Sequence, residues 1–206
     1  MTIEEHPLKP FLPKNAKILF LGSFPPPKAR WSMDFFYPNW INDFWRIQGV
    51  IHFGDKGYFE EISNPLKRGV ADEQMKVKRF DKKQIVDFCI DKGIALFDTA
   101  QKVCRLKDNA DDNFLEIVEG TDLFALLKQI PECKTIVTTG GKASEELQKY
   151  LRKKGIKVKI PKVGEWVVLN ENEDENSLRW WRMPSTSRAY PMKLEQKAEF
   201  YRRLFM

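Results

Sequence analysis

Apolar residues fall along this chain in two patterns. Continuous runs occur at Lys17-Ile-Leu-Phe-Leu-Gly22, Ile94-Ala-Leu-Phe-Asp98 and Thr135-Ile-Val-Thr-Thr139. A run without alternation suits a strand covered on both faces, as in a parallel sheet. Elsewhere the apolar positions recur every three or four residues. Ile41, Phe44, Trp45, Ile47 and Ile51 predict a helix over 41–51. Further helices are predicted from Phe80 to Lys92, stopped by Gly93, and from Thr121 to Ile130, with Thr121 as N-cap. Lys142 to Lys154 is another, closed by Gly155, and a last one runs from about Pro191 to Phe205. Val158 to Ile160 and Trp166 to Leu169 read as short strands. Residues 1–16, broken by Pro7, Pro10 and Pro13, read as an extended arm. Residues 54–79 read as a polar excursion, and 170–176 as a solvated acidic turn.

Strands alternating with helices predict an α/β protein. The expected architecture is a three-layer α/β/α arrangement around a central, mainly parallel sheet of four to five strands. The chain has 206 residues, no repeat and no linker, so one domain over residues 1–206 is expected. In such sheets ligands sit outside the carboxyl ends of the strands. Four unusual loops fall there: Gly22–Pro27, Asp98–Cys104, Gly140–Ser144 and Pro184–Tyr190.

Composition narrows the chemistry. Hydrophobic residues make up 42% of the chain, enough for a core. The net charge is +6, which favours polyanionic partners, because each phosphate neutralised releases condensed counterions. Cys89, Cys104 and Cys133 are odd in number and form no CxxC pair, so they read as buried thiols rather than zinc or iron–sulfur ligands. With only two histidines, no metal and no cofactor is expected. No stretch has the length of a membrane span, and the opening MTIEEHPLKP does not read as a signal peptide. A cytoplasmic monomer without membrane contact is therefore expected.

Several segments have both an ordinary and a functional reading. Gly22-Ser23-Phe24-Pro25 is an ordinary turn taken alone. The aromatic-dense stretch Phe35-Phe36-Tyr37-Pro38-Asn39-Trp40-Ile41-Asn42-Asp43-Phe44-Trp45 usually means core, but aromatics can also form a stacking wall for a base. Pro184-Ser185-Thr186-Ser187 is either a turn or a set of hydroxyl and N–H donors for DNA phosphates. Lys142, at a helix start after two glycines, is either a solvated lysine or a phosphate ligand.

Taken in order, these motifs resemble the uracil-DNA glycosylase superfamily. The series is strand-GSFP, the aromatic stretch with Tyr-Pro and Asn-x-Phe-Trp, Gly-Ile-Ala-Leu-Phe-Asp, Thr-Gly-Gly-Lys-Ala and Met-Pro-Ser-Thr-Ser. Its order and spacing are most similar to the hypoxanthine-DNA glycosylase and mismatch-specific uracil glycosylase branches. The resemblance implies base-excision chemistry on DNA carrying a damaged or deaminated base. It implies that Gly22 to Pro25 form the first catalytic loop, with Ser23 where many members carry the carboxylate or amide that holds water. Asn42 then matches the water-positioning asparagine of the hypoxanthine branch. Two extra residues before it make Asn39 a rival. Phe35 or Phe36 matches the aromatic that stacks on the flipped base, beside Gly22, Phe24 and Pro25. Pro184, Ser185, Thr186 and Ser187 match the second DNA-binding loop, and Arg188, Ala189 and Tyr190 lie where members wedge into the duplex. The chain departs from the pattern at Pro26, Tyr37 and Met183.

The expected activity is hydrolysis of the N-glycosidic bond of a flipped-out deaminated base, uracil or hypoxanthine. Backbone N–H groups of Ser23 and Phe24 are expected to face the base carbonyl, with Lys142 on phosphate. The alternatives are a non-catalytic nucleic-acid binder that keeps the fold, and a hydrolase of free nucleosides. The basic surface and the Ser-Thr-Ser loop count against the latter.

Overall fold

The computed structural model of the chain describes residues 2–61, 78–106, 112–169 and 177–206. The acidic turn at 170–176 and most of the excursion at 54–79 lie outside the described residues. The central sheet has five strands in the order β3-β2-β6-β8-β7. They are β2 (Ile18–Gly22), β3 (Ile94–Asp98), β6 (Thr135–Thr139), β7 (Trp166–Val168) and β8 (Arg179–Met183). All neighbours are parallel except β7, which runs antiparallel to β8. Every residue of β2 and β3 is buried, as their unbroken apolar runs require. The register places Gly22 opposite Asp98 and Thr139 opposite Met183, so the strand ends form one edge.

The helices are α1 (Phe44–Phe53), α2 (Lys82–Lys92), α3 (Leu123–Leu127), α4 (Gly141–Lys153) and α5 (Leu194–Arg202). Helix α1 packs on α5, α4 on β6, and α2 on β3. The fully buried Phe20, Phe44, Trp45, Trp180 and Tyr201 anchor the core between them. Phe20 meets Phe44 edge-on at 5.2 Å, a favoured aromatic geometry. Among the described residues no helix is long and apolar enough to cross a membrane.

A second sheet departs from expectation. Strands β1 (Ile3–Glu5), β4 (Ala100–Arg105) and β5 (Leu115–Gly120) form an antiparallel sheet in the order β1-β4-β5. The arm's first residues and the loop read at 98–104 are therefore paired backbone. Register shifts between Ala100 and Val103 break the alternation that would have announced β4. Val158–Ile160 is not a strand. Its carbonyl at Val158 accepts instead from the Gln148 side chain. Helix α3 is shorter than 121–130: it ends at Leu127, and it starts later because Asp122, not Thr121, caps it, accepting from the Ala125 amide at 3.2 Å. The Thr121 hydroxyl donates instead to the Asp98 carbonyl at 2.7 Å.

Candidate active site

A cavity of about 650 Å³ opens at the carboxyl edge of the central sheet. Three chain segments wall it: Gly22–Pro26 after β2, most of Phe36–Asn42 before α1, and Ser185–Pro191 after β8. Asp98 and Thr139, the last residues of β3 and β6, line it from below. The loop geometry follows from composition. The prolines after Gly22 and Met183 cannot donate to a ladder, so both strands stop at the edge.

The floor is polar and tightly built. A β-carbon added to Gly22 would lie 2.4 Å from Asp98 Oδ1 and 3.7 Å from the Tyr37 hydroxyl. Only glycine lets the carboxylate lie against the β2 backbone. The other carboxylate oxygen, Asp98 Oδ2, is 2.9 Å from Nε2 of His6. The Tyr37 hydroxyl is 3.0 Å from Thr139 Oγ1, and its ring stacks on Phe44 at 3.8 Å. Burial, with the Asp98 charge adding, pushes that hydroxyl far above its ordinary range, so it stays protonated. Tyr37 has φ of 50°, a left-handed conformation rare for an aromatic residue and the kind of strain that concentrates at functional sites. Gly22→Ala is expected to lower stability by roughly 1–3 kcal/mol, because the new methyl must displace the carboxylate or the strand. Denaturant unfolding checks this; a variant as stable as the parent would show that Asp98 does not pack there.

One rim is locked by ionic and backbone contacts. Asn42 pairs with Ser187 as an isolated antiparallel bridge, and the Asp43 amide donates to the Thr186 carbonyl at 2.8 Å. Lys197 of α5, fully buried, donates to Asp43 Oδ2 at 3.0 Å and to the Ser187 carbonyl at 2.8 Å. Arg188 Nε donates to Asp43 Oδ1 at 3.0 Å. Arg46, lying over the Trp40 ring, donates to the Trp40 and Asn42 carbonyls. Its partial burial lowers its pKa, and Glu60, 2.8 Å away, opposes that.

Both candidate asparagines line the cavity, and both use their carboxamide oxygens locally. Asn42 Oδ1 accepts from the Phe44 amide at 2.9 Å, an Asx turn at the entry to α1. Asn39 Oδ1 accepts from the Ile41 amide at 3.1 Å. A carboxamide oxygen has two lone pairs, so each retains capacity for a water. The Ser23 hydroxyl donates to Asp112 Oδ1 at 2.8 Å.

The remaining predicted residues divide. Gly22, Phe24, Pro25 and Phe36 line the cavity. Phe35 does not; it packs in the core against Phe11 and Trp45. Ser185, Thr186, Ser187, Arg188 and Tyr190 line it, whereas Pro184 is buried behind, its carbonyl accepting from the Tyr201 hydroxyl. The Ser185 and Ser187 hydroxyl oxygens accept from the amides of Ser187 and Ala189, which leaves their O–H groups to donate elsewhere. Lys142 is not among the lining residues; its ammonium lies 3.8 Å from Glu146, one turn along α4. Met183 is fully buried.

No family model matches the chain, and no curated protein does. Among solved structures it matches the solution NMR structure of a "putative Uracil DNA glycosylase" from Methanosarcina acetivorans. The TM-score is 0.57 at 20% sequence identity, over 100% of both chains. This chain shares that fold. At that identity the likeness speaks for the fold alone.

Sequence reasoning passed over Asp98 as a site residue, along with His6 and the Asp43–Lys197 pair. Asp98 carried a visible signal, a charge ending an apolar strand at the binding edge. Lys197 carried none, being one helix lysine among several.

Proposed function

We propose that the chain is a monofunctional DNA glycosylase of base-excision repair that releases a deaminated base, uracil or hypoxanthine, flipped out of the duplex. The reading includes one domain over the whole chain with the three-layer arrangement. The observation that supports it best is the buried Asp98 carboxylate on the cavity floor. Deamination turns a ring nitrogen from an acceptor into an N–H donor beside a new carbonyl. A carboxylate accepts that N–H and leaves the lone pair of cytosine N3 or adenine N1 without a donor. The protonated Tyr37 hydroxyl beside it can serve the carbonyl.

The reaction breaks the bond between the sugar carbon and the base nitrogen. The electron pair leaves with the base as an anion, the oxygen of a water bonds to the sugar carbon and loses a proton, and a proton from solvent neutralises the departed base. Asn42, or Asn39, holds that water through its free lone pair. Phe36 and Phe24 wall the base, and the Ser185 and Ser187 hydroxyls with Arg188 take phosphates. Lys142 lies outside the cavity lining and would meet only a more distant phosphate.

A second reading is a nucleic-acid binder without catalysis. It is favoured by the engagement of both asparagine oxygens with their own turns. A panel of duplexes carrying uracil, hypoxanthine, xanthine or mismatched thymine, read by alkali cleavage of the abasic product, separates the two. The glycosylase reading expects cleavage at one of these bases; binding without cleavage on all four selects the binder.

A further inference from the structure

We propose that His6, on the N-terminal arm, is a positioning residue for base recognition, fixing the Asp98 carboxylate and balancing its charge. The proposal rests on the reading of Asp98 as the group that meets the base. His6 is far from Asp98 in sequence but its side chain is only 4% exposed beneath the cavity. The arm delivers it there. Strand β1 pairs with β4 up to Glu5 opposite Lys102, and the His6 amide donates to the Gln101 carbonyl at 2.8 Å. The imidazole is then enclosed by Phe24, Phe36 and Phe97, with ring centroids at 5.3, 6.2 and 4.6 Å. Two of these rings, Phe24 and Phe36, themselves line the cavity.

Hydrogen bonding fixes both ends of the ring. Nδ1 lies 2.8 Å from the Leu8 carbonyl and 3.2 Å from the Leu8 amide, and the shorter contact calls for a proton on Nδ1. Nε2 lies 2.9 Å from Asp98 Oδ2, which calls for a second proton between those two atoms. Counted together, the pair then carries no net charge, whichever atom holds the shared proton. That matters for a departing base, which leaves as an anion. An unbalanced carboxylate on the floor would repel it, whereas a neutral pair offers Oδ1 as an acceptor without that penalty. With Oδ2 held by His6 and Oδ1 pressed on Gly22, the carboxylate has one orientation. The arm is thereby part of the site.

The test uses His6→Leu, which fills the same apolar enclosure without a donor, and His6→Gln, whose amide can still donate to Asp98. Base release from the duplex the parent prefers is measured for all three, with unfolding midpoints alongside. His6→Leu is expected to lower kcat/KM by about 10-fold or more, and His6→Gln, which restores the donor but not the proton that balances the charge, to recover part of it. Equal activity of the two variants, whether both intact or both impaired, overturns the proposal. A second measurement is independent of turnover: the Nε2 proton of His6, observed by NMR of ¹⁵N-histidine protein. It is expected as a slowly exchanging, downfield resonance that disappears in Asp98→Leu. Its absence from the parent overturns the proposal. A parent that releases no base removes the glycosylase reading alone, and the resonance then decides the role of His6.

Discussion

Asn42→Ala is expected to lower base release by about 100-fold or more while leaving duplex affinity within a few-fold of the parent. The carboxamide oxygen already accepts from the Phe44 amide, so the substitution removes two things at once. It removes the lone pair proposed to hold water, and it removes the acceptor of the Phe44 amide, which costs about 1 kcal/mol. Asn42→Asp separates them. A carboxylate keeps an oxygen for the Phe44 amide and can still accept from water, so stability should match the parent and much of the activity should remain. Affinity should survive either change, because the proposed phosphate contacts are those of the Ser185–Arg188 loop and of the excess of Lys and Arg. Asn39→Ala is the control. Activity lost in Asn39→Ala and kept in Asn42→Ala would move the water to the other asparagine.

The largest expected loss of stability comes from Lys197→Met. Lys197 is fully buried against Asp43, whose side chain is itself only 9% exposed. Removing one partner of a buried pair leaves the other charge uncompensated, which costs about 3 kcal/mol or more. Arg188 still reaches Asp43 but is half-exposed and cannot replace the buried ammonium. The Ser187 carbonyl also loses its donor, so the 185–190 loop should loosen and duplex affinity should fall with stability. Urea unfolding gives the first number. A loss under about 1 kcal/mol would mean that the rim is not held by this pair. Adding Asp43→Asn to the Lys197 variant should recover part of the loss, because no charge is then stranded.

Three of the four parallel strands, β2, β3 and β6, could be read from the sequence because burial on both faces leaves an unbroken apolar run; β8, half-exposed and carrying two arginines, leaves none. Ile94–Asp98 and Thr135–Thr139 have the bounds the pattern predicts. The second sheet could not be read the same way. Its strands are short, half-exposed and bulged, and β1 begins in a segment whose prolines suggest an unpaired arm. Of the loops expected at the carboxyl edge, Gly22–Pro27 and Pro184–Tyr190 meet around one cavity with Asn42, whereas Gly140–Ser144 does not line it and 98–104 continues as β4 beyond Asp98. What stayed hidden depends on distant partners. Nothing near His6 or Lys197 announces that each will be buried on a carboxylate far along the chain. Phe35 and Phe36 are equivalent by composition, and only their packing separates them: Phe35 meets Phe11 and Trp45 in the core while Phe36 lines the cavity.

The most direct measurement of the central claim is a mass balance on the parent chain. It is incubated with duplex containing hypoxanthine or uracil at one position, and free base is quantified by mass spectrometry beside the abasic sites formed. Free base and abasic sites are expected in equal amounts, with no release from matched duplex carrying adenine or cytosine. Bound duplex with neither product, at enzyme in excess of substrate, would contradict the claim.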